Sequence, residues 1–169
     1  VEDVIGYSLG NAVNIALKDI VHMRLIEGKE LEKDILIELD NIEENLRIIE
    51  DRAPMVVLEY RDKLKDRIKD LLEGNIELDE DRLSNEVAFF ADKSSIDEEI
   101  VRLKSHIKQF KSILDEEDSI GRKLDFLIQE LNREINTIGS KANDIVIAKY
   151  VVEVKAELEK IREQVQNIE

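Results

Sequence analysis

The segment EEIVRLKSHIKQF contains the histidine whose neighbours most favour chemistry. On a helix, Glu99, Arg102 and His106 of this segment lie on neighbouring turns. A carboxylate and an imidazole placed in this way can share a divalent metal ion or act as acid and base. A half-exposed helical histidine with one hydrogen bond is the structural alternative, and the segment alone leaves both open. The other histidine, His22, lies in a mostly apolar segment and is interpreted as structural.

A pair of glutamates, Glu130 and Glu134, supplies the second candidate for chemistry. They are four residues apart, so a helix places them on one flank. Helical carboxylates at this spacing occur in metal sites together with a histidine from another helix. They also occur as solvated salt-bridge partners, and Arg133 and Lys123 are within reach of Glu130. The candidate catalytic residues are His106, Glu134 and Glu130. The candidate metal ligands are Glu99, Glu130, Glu134 and His106.

Residues 119–141, SIGRKLDFLIQELNREINTIGSK, divide into two faces on a helix at about 100° per residue. One face is apolar and consists of Ile120, Leu124, Leu127, Ile128, Leu131, Ile135 and Ile138. The polar face consists of Arg122, Asp125, Phe126, Gln129, Arg133, Asn136, Thr137 and Ser140. Amides and hydroxyls gain little from facing water on a helix, and Asn and Thr are mediocre helix formers. The polar face therefore indicates either a ligand-binding surface or a polar network with neighbouring helices.

The basic residues of this segment suggest a ligand with phosphates and bases. Arg122, Arg133 and Lys141 lie roughly along one side, where they can bind phosphates, and Phe126 can stack on a base. Isolated surface arginines more often form ion pairs of little energetic value. The neighbouring amides and hydroxyls distinguish this set. The candidate RNA-binding residues, four of which extend the patch if the helices pack together, are Arg122, Phe126, Gln129, Arg133, Asn136, Thr137, Ser140, Lys141, Arg102, Arg82, Lys93 and Arg162.

Composition limits the possible classes of protein. The 169 residues include 40 acidic and 25 basic side chains, for a net charge of −15, and no cysteine. The absence of cysteine excludes disulfides, zinc–thiolate sites and thiol catalysis. The negative charge argues against nonspecific adhesion to DNA or acidic membranes, but it permits a local basic patch and supplies ligands for a divalent cation. No apolar run approaches the roughly 20 residues of a membrane span, and no signal peptide is visible. We expect a cytoplasmic protein without a membrane partner or a small-molecule cofactor.

Hydrophobic periodicity predicts an all-α fold in two parts. Residues 1–78 are predicted to form a long helical hairpin for assembly or spacing, with its first helix ending at Arg52, Ala53 and Pro54. Residues 79–169 are predicted to form a bundle of amphipathic helices that carries the RNA and metal site. The hairpin is too thin to bury its apolar stripes alone, so we expect self-association. The chain begins at Val1 within patterned sequence, and we expect an amino-terminal part to precede it.

Several segments, in the same order, resemble the carboxyl-terminal region of the YicC/YloC family of bacterial endoribonucleases. They are MRLIEGKELEKDI, RAPMVVLEYRDKL, RLSNEVAFFADKSSIDEEIVRLKSHIKQF, GRKLDFLIQELNREINTIGSKAND and KAELEKIREQVQNIE. The resemblance implies a metal-dependent RNA phosphodiesterase that uses Mn²⁺ or Mg²⁺, a ring-like homo-oligomer, in particular a hexamer, and a largely helical carboxyl-terminal region. It also implies a separate amino-terminal domain, whose absence is a reason for this chain to be inactive alone.

Two functions remain open at this point. The first is an endoribonuclease in which arginines hold phosphates while carboxylates, with His106, hold a divalent ion. The alternative is a noncatalytic helical oligomerisation or RNA-adaptor module whose polar face is a subunit interface. A set of carboxylates that converges in space would separate them, and linear spacing does not show convergence.

Overall fold

The computed structural model describes residues 2–71, 79–116 and 119–167, with side chains from residue 6 onward. These ranges contain five helices and no strand, which confirms the prediction of an all-α fold. None of these helices is long and apolar enough to cross a membrane. The helices are α1 (Glu2–Leu71), α2 (Glu80–Ser94), α3 (Asp97–Leu114), α4 (Gly121–Lys141) and α5 (Ile145–Val165).

The predicted helix break at Pro54 is wrong, because α1 continues through this residue as one helix of 70 residues. A proline inside a helix removes one backbone hydrogen bond and crowds the preceding turn, at a cost of about 3 kcal/mol. Two features hold the helix together here. Ile49 and Val56, on either side of the proline, are buried in the same core. Arg52 donates hydrogen bonds to both carboxylate oxygens of Glu59, at 2.6 and 2.9 Å, and so spans the proline.

Helices α1 and α2 run antiparallel, so the hairpin in the structure pairs α1 with a helix that the sequence analysis assigned to the bundle, and not two helices within residues 1–78. The rings of Tyr60 and Phe90 stack with centroids 3.8 Å apart. Lys65 Nζ lies 3.0 Å from Glu80 Oε1, and this order of contacts is antiparallel. The predicted end of the hairpin near Leu78 lies outside the described residues.

One hydrophobic core joins the middle of α1 to the bundle of α3, α4 and α5. Helix α1 packs against α2, α3 and α5, while α4 packs between α3 and α5. The predicted stripes are buried on α1 from Ile35 to Ile49, on α3, on α4 and on α5 as far as Val165. The core therefore crosses residue 78, where the sequence suggested a boundary. This packing fixes the polar flanks of α3, α4 and α5 relative to one another.

The beginning of α5 is tied to α1 by a shared carboxylate. Asp144 caps α5, accepting a hydrogen bond from the backbone N–H of Ile147 at 2.9 Å. Its carboxylate also accepts hydrogen bonds from Arg52 Nη2 at 2.8 Å and Nε at 3.3 Å. The hydrogen bonds from Arg52 hold the pKa of Asp144 below its ordinary value, despite partial desolvation. Arg52 thus connects a later turn of its own helix, through Glu59, with the beginning of α5, through Asp144.

The amino-terminal part of α1 extends away from this core. All its side chains from residue 6 to 30 are exposed, many of them large and apolar. Leu17, Val21 and Leu25 follow one another along one side and line a shallow apolar depression. In a helix, such a stripe normally packs against another element.

Candidate functional site

The site is built where the polar flanks of α3 and α4 meet. These two helices run antiparallel, since Glu99 contacts Lys141 and Arg102 contacts Glu134. Turns of α3 place Glu99, Arg102 and His106 on this flank, as the sequence predicted. We call the residues Glu99, Arg102, His106, Glu130, Arg133, Glu134 and Lys141 the charged network.

His106, Glu130 and Glu134 form the centre of the charged network. Each offers one ligand atom, and these atoms all lie within 4.8 Å of one another. Three ligands that bind one Mn²⁺ or Mg²⁺ ion at about 2.1 Å stand at most about 4.2 Å apart, so small side-chain rotations close the set. An imidazole nitrogen with two carboxylate oxygens is a donor set that fits a divalent cation. Three of the four candidate metal ligands named from the sequence therefore lie close together in space.

Two arginines bracket the buried carboxylate of Glu134, which is only 3% exposed. Arg102 Nε donates to Glu134 Oε2 at 2.9 Å, and Arg133 Nη2 donates to Glu134 Oε1 at 3.2 Å. Arg133 Nη2 also lies 2.7 Å from Glu130 Oε2. The surrounding carboxylates raise the pKa of Arg102, and its hydrogen bond to Glu134 is the main cause. Each oxygen of the Glu134 carboxylate is therefore paired with a different guanidinium.

Glu99 belongs to the charged network but not to the converging triad. Its Oε1 accepts hydrogen bonds from Lys141 Nζ at 2.9 Å and from Arg102 Nη2 at 3.0 Å. Burial raises the pKa of Glu99, but the hydrogen bond from Lys141 and the charges of Lys141 and Arg102 outweigh burial and lower it. Its other oxygen, Oε2, is buried and has no hydrogen-bond partner among the described residues. Glu99 thus acts on Glu134 through Arg102, as a second carboxylate on the same guanidinium.

His106 has an unused ring nitrogen. Its Nδ1 is buried and has no hydrogen-bond partner among the described residues. An unsatisfied buried polar atom costs about 1–3 kcal/mol, and native proteins rarely retain one without a reason. The converging carboxylates beside it make metal binding or proton transfer the chemistry that this imidazole can perform.

A groove of about 430 Å³ lies beside the charged network, between α4 and α5. We call it the polar groove. Its lining contains four of the predicted RNA-binding residues together with three others. The residues that line it are Asp125, Ile128, Gln129, Asn132, Arg133, Asn136 and Arg162. Arg133 belongs to both the polar groove and the charged network.

Part of the polar face is satisfied by its own helix. Thr137 Oγ1 donates to the carbonyl of Arg133 at 3.0 Å, and Ser140 Oγ donates to the carbonyl of Thr137 at 2.9 Å. Gln129 Nε2 donates to Asp125 at 2.9 Å. Hydroxyls on helices commonly bond to backbone carbonyls one turn earlier. The two hydroxyls therefore need no external partner. The evidence for a bound ligand rests more on Arg133, Arg162 and Asn136, which line the polar groove.

Comparison with known proteins assigns the family. The sequence profile described as "Endoribonuclease YicC-like, C-terminal" matches residues 49–169, which is more than half of the chain. The chain belongs to the YicC-like endoribonuclease family. The resemblance that the sequence suggested is confirmed, and the whole charged network lies within the region that matches this family.

Two curated relatives extend the comparison to nearly the whole chain. "Probable endoribonuclease YicC" of Clostridioides difficile (strain 630) is 55% identical over 168 residues, 99% of this chain and 57% of the relative. The protein of the same name from Haemophilus influenzae (strain ATCC 51907 / DSM 11121 / KW20 / Rd) is 36% identical over 167 residues, again 99% of this chain and 57% of the relative. This YicC-like chain thus spans a little over half the length of both relatives.

The remaining predicted site residues of this YicC-like chain are spread over three helices. Arg122 and Phe126 are exposed at the beginning of α4. Arg162 lines the polar groove from α5 and pairs loosely with Glu159, at 3.8 Å. Arg82 and Lys93 lie on α2, and no ion pair between described residues joins either of them to α4. Arg82 instead pairs with the cap of its own helix, Asp79, at 3.4 Å. The structure therefore does not bring these last two residues to the charged network.

Sequence reasoning missed a basic groove of about 460 Å³ between α1 and α3. It is lined by Glu43, Leu46, Arg47, Lys104, Lys108 and Lys111. Lys104 pairs with Glu50 at 2.6 Å, and Lys111 pairs with Asp40 at 2.8 Å. The sequence did contain a signal for this groove. Lys104, Lys108 and Lys111 are four and three residues apart, which places them together on the flank of α3 opposite His106. The polar groove also contains Asn132, which the sequence analysis did not select.

Proposed function

We propose that this chain is the helical, metal- and RNA-binding part of an endoribonuclease that hydrolyses RNA phosphodiester bonds with a divalent metal ion. One observation carries the proposal: ligand atoms of His106, Glu130 and Glu134 converge from two helices, next to an arginine that also lines a polar groove. Family membership supports the proposal, since both curated relatives are named probable endoribonucleases. The activity itself belongs to the longer protein that such relatives represent.

The metal would be held by His106, Glu130 and Glu134. A bound divalent ion supplies charge stabilisation at a phosphoryl oxygen and lowers the pKa of a coordinated water. The nitrogen donor favours Mn²⁺ over Mg²⁺, which prefers an all-oxygen environment. Glu99 lies outside the converging set, and we assign it a supporting role through Arg102. This choice narrows the ligands that spacing alone suggested.

The chain's own residues supply substrate binding and proton transfer. In the polar groove, Arg133 and Arg162 would bind RNA phosphates, while Asn136 offers an amide to sugar or base. Asn136 Oδ1 accepts a hydrogen bond from Lys155 Nζ at 3.0 Å, which leaves its NH₂ group to donate. Phe126 is 60% exposed on α4 and offers a surface for base stacking. When they are not bound to the ion, the half-buried imidazole of His106 and the carboxylate of Glu134 are the groups placed to accept a proton from water.

Assembly forms part of the same proposal. The exposed apolar stripe at the beginning of α1 fits a homo-oligomer, and the family resemblance indicates a hexamer for the longer protein. RNA, rather than a membrane or a small-molecule cofactor, is the proposed partner. We place this activity in the cytoplasm, where a cysteine-free protein of high negative charge has no need of disulfides.

A noncatalytic helical adaptor remains the second candidate, and a specific observation favours it. Every carboxylate oxygen of Glu134 is already paired with an arginine, as in a purely structural ion-pair network. The deciding experiment is cleavage of a structured RNA by this chain and by the longer protein, with and without Mn²⁺. Cleavage that requires Mn²⁺ and is lost in Glu134→Gln supports the nuclease. RNA binding without cleavage by the longer protein under every metal condition supports the adaptor.

A further inference from the structure

Arg133 occupies a position between two proposed binding sites. A single nitrogen, Nη2, reaches Glu130 Oε2 at 2.7 Å and Glu134 Oε1 at 3.2 Å. The same side chain is 63% exposed and lines the polar groove with Gln129, Asn136 and Arg162. The guanidinium is thus attached to two of the proposed metal ligands at the edge of the proposed RNA site.

For electrostatic reasons, Glu130 and Glu134 cannot hold the Arg133 guanidinium and a divalent cation at the same time. The guanidinium and a divalent cation are both positive and both need Glu130 and Glu134. When a cation takes these carboxylates, their attraction for Arg133 is neutralised and is replaced by repulsion from the cation. The side chain is long and largely exposed, so rotation toward the groove opens no cavity in the core.

We propose that Arg133 couples the binding of the divalent cation to the binding of RNA. Without the cation, Glu130 and Glu134 hold the guanidinium; with the cation bound, the guanidinium moves into the polar groove and binds a phosphate. This inference rests on the proposed function, because it uses its metal centre and its RNA groove. Coupling of this kind is reciprocal, so RNA strengthens cation binding by the same factor as the cation strengthens RNA binding.

Arg102 behaves differently, although it also binds Glu134. It contacts three carboxylates, those of Glu98, Glu99 and Glu134, at 3.2, 3.0 and 2.9 Å. It does not line the polar groove. If the contact with Glu134 is lost, the contacts with Glu98 and Glu99 still hold Arg102 in place. Arg133 is therefore the arginine of this pair that can transmit cation binding to the groove.

The test measures both affinities on the chain as it exists. Mn²⁺ is titrated by calorimetry, and a fluorescent 2′-O-methyl oligoribonucleotide, which resists cleavage, is titrated by anisotropy; each titration is repeated with the other ligand present. We expect Mn²⁺ to raise RNA affinity in the unmodified chain by roughly tenfold, within the usual range of coupling between sites. In Arg133→Gln we expect Mn²⁺ alone to bind several-fold more tightly, since the competing guanidinium is gone. RNA affinity in Mn²⁺ should fall, and the coupling factor should approach one.

The matched control is Arg162→Gln, which removes another arginine of the polar groove that has no contact with Glu130 or Glu134. It should weaken RNA binding equally with and without Mn²⁺ and leave the coupling factor unchanged. Arg133→Lys keeps the charge but offers one compact ammonium, and should retain part of the RNA affinity with reduced coupling. Circular dichroism of each variant checks that the helices are intact.

Three results would overturn the inference. The first is coupling that persists in Arg133→Gln, which means that a bound ion contacts the phosphate directly. The second is weaker Mn²⁺ binding in Arg133→Gln, because competition predicts the opposite sign. The third is an unmodified chain that does not bind Mn²⁺ at all, which overturns the proposed metal centre as well. The first two leave the proposed function intact, so the two failures are distinguishable.

Discussion

Arg102 and Glu134 join α3 to α4 through a hydrogen bond of 2.9 Å between Nε and a carboxylate that is almost fully buried. The two residues are 32 positions apart, and the same guanidinium also reaches the buried Glu99. One arginine that does not line the polar groove thus pairs with two buried acidic groups. The contact fixes where the negative charge of the candidate metal centre lies.

Glu134→Gln is expected to abolish Mn²⁺-dependent cleavage by the longer protein and to retain RNA binding. The substitution preserves shape and removes the charge that a cation needs. Mn²⁺ affinity should fall at least about tenfold, the lower end for changes to metal-site partners. Because Arg102 and Arg133 lose a counter-charge, we also expect a stability loss of about 1–3 kcal/mol. Calorimetry, cleavage assays and thermal melts measure these effects.

Glu98→Gln is the matched control for this change, since Glu98 pairs with the same Arg102 but its side chain is 81% exposed. It should change neither Mn²⁺ affinity nor cleavage. Equal effects of the two substitutions would mean that Mn²⁺ affinity and cleavage depend on the total charge around Arg102 and not on the carboxylate of Glu134 itself. A large fall in melting temperature with unchanged cleavage in Glu134→Gln would make the network purely structural.

Hydrophobic periodicity is sufficient to predict which side chains of a single helix are buried. The apolar face of α4, from Ile120 to Ile138, is buried as predicted, because a helix of known period fixes which side chains share a face. Periodicity does not give the register between two helices. Whether His106 on α3 meets Glu130 or lies a turn away depends on packing between distant segments. The convergence was therefore a hypothesis from the sequence and an observation only in the structure.

Local rules failed where tertiary contacts oppose them. Pro54 favours a helix end, yet the buried residues on either side and the Arg52–Glu59 pair keep α1 continuous. Thr137 and Ser140 suggested a surface that needs a partner, but both hydroxyls bond to carbonyls of their own helix. Arg82 and Lys93 joined the predicted patch on charge alone, and α2 packs elsewhere. Charge and polarity in a sequence do not report which neighbour satisfies them.

His106→Gln is expected to weaken Mn²⁺ binding while the melting temperature stays nearly constant. The imidazole has a buried nitrogen without a hydrogen-bond partner among the described residues, so little native hydrogen bonding is lost. Removal of one of three proposed ligands should lower Mn²⁺ affinity by at least about tenfold, as for changes to metal-site partners. His22→Gln, on the exposed part of α1, is the control and should change neither quantity. Unchanged Mn²⁺ affinity in His106→Gln would remove His106 from the metal centre.

The exposed stripe at the beginning of α1 predicts concentration-dependent self-association. Leu17→Glu together with Val21→Glu places two charges on the stripe and should reduce the sedimentation-derived mass of the chain. The matched control is Ser8→Glu with Ala12→Glu, which adds two charges at the same spacing on the side of α1 away from the depression, with no expected loss of mass. A strictly monomeric profile for the unmodified chain at high concentration would contradict the prediction. The relative from Clostridioides difficile should be measured alongside, since the part of it that lies outside the match is another surface that can cover the stripe.

The ion pairs around Arg52 predict a specific acid sensitivity. Arg52 lowers the pKa of Asp144 below its ordinary value of 3.8 and the pKa of Glu59 below 4.5. A carboxylate whose folded pKa is lowered contributes stability above its unfolded pKa, and this contribution is lost as pH falls through the folded value. Asp144→Asn keeps a good helix cap but removes the charge. We therefore expect it to lower the melting temperature by several degrees at pH 7, and the difference from the unmodified chain should shrink steadily below about pH 4.

The control is Asp51→Asn, an exposed neighbour of Arg52 with no ion pair to it, which should cause little change at either pH. A difference for Asp144→Asn that is constant from pH 7 to pH 3 would show that the cap's shape, and not its charge on Arg52, holds α5 against α1.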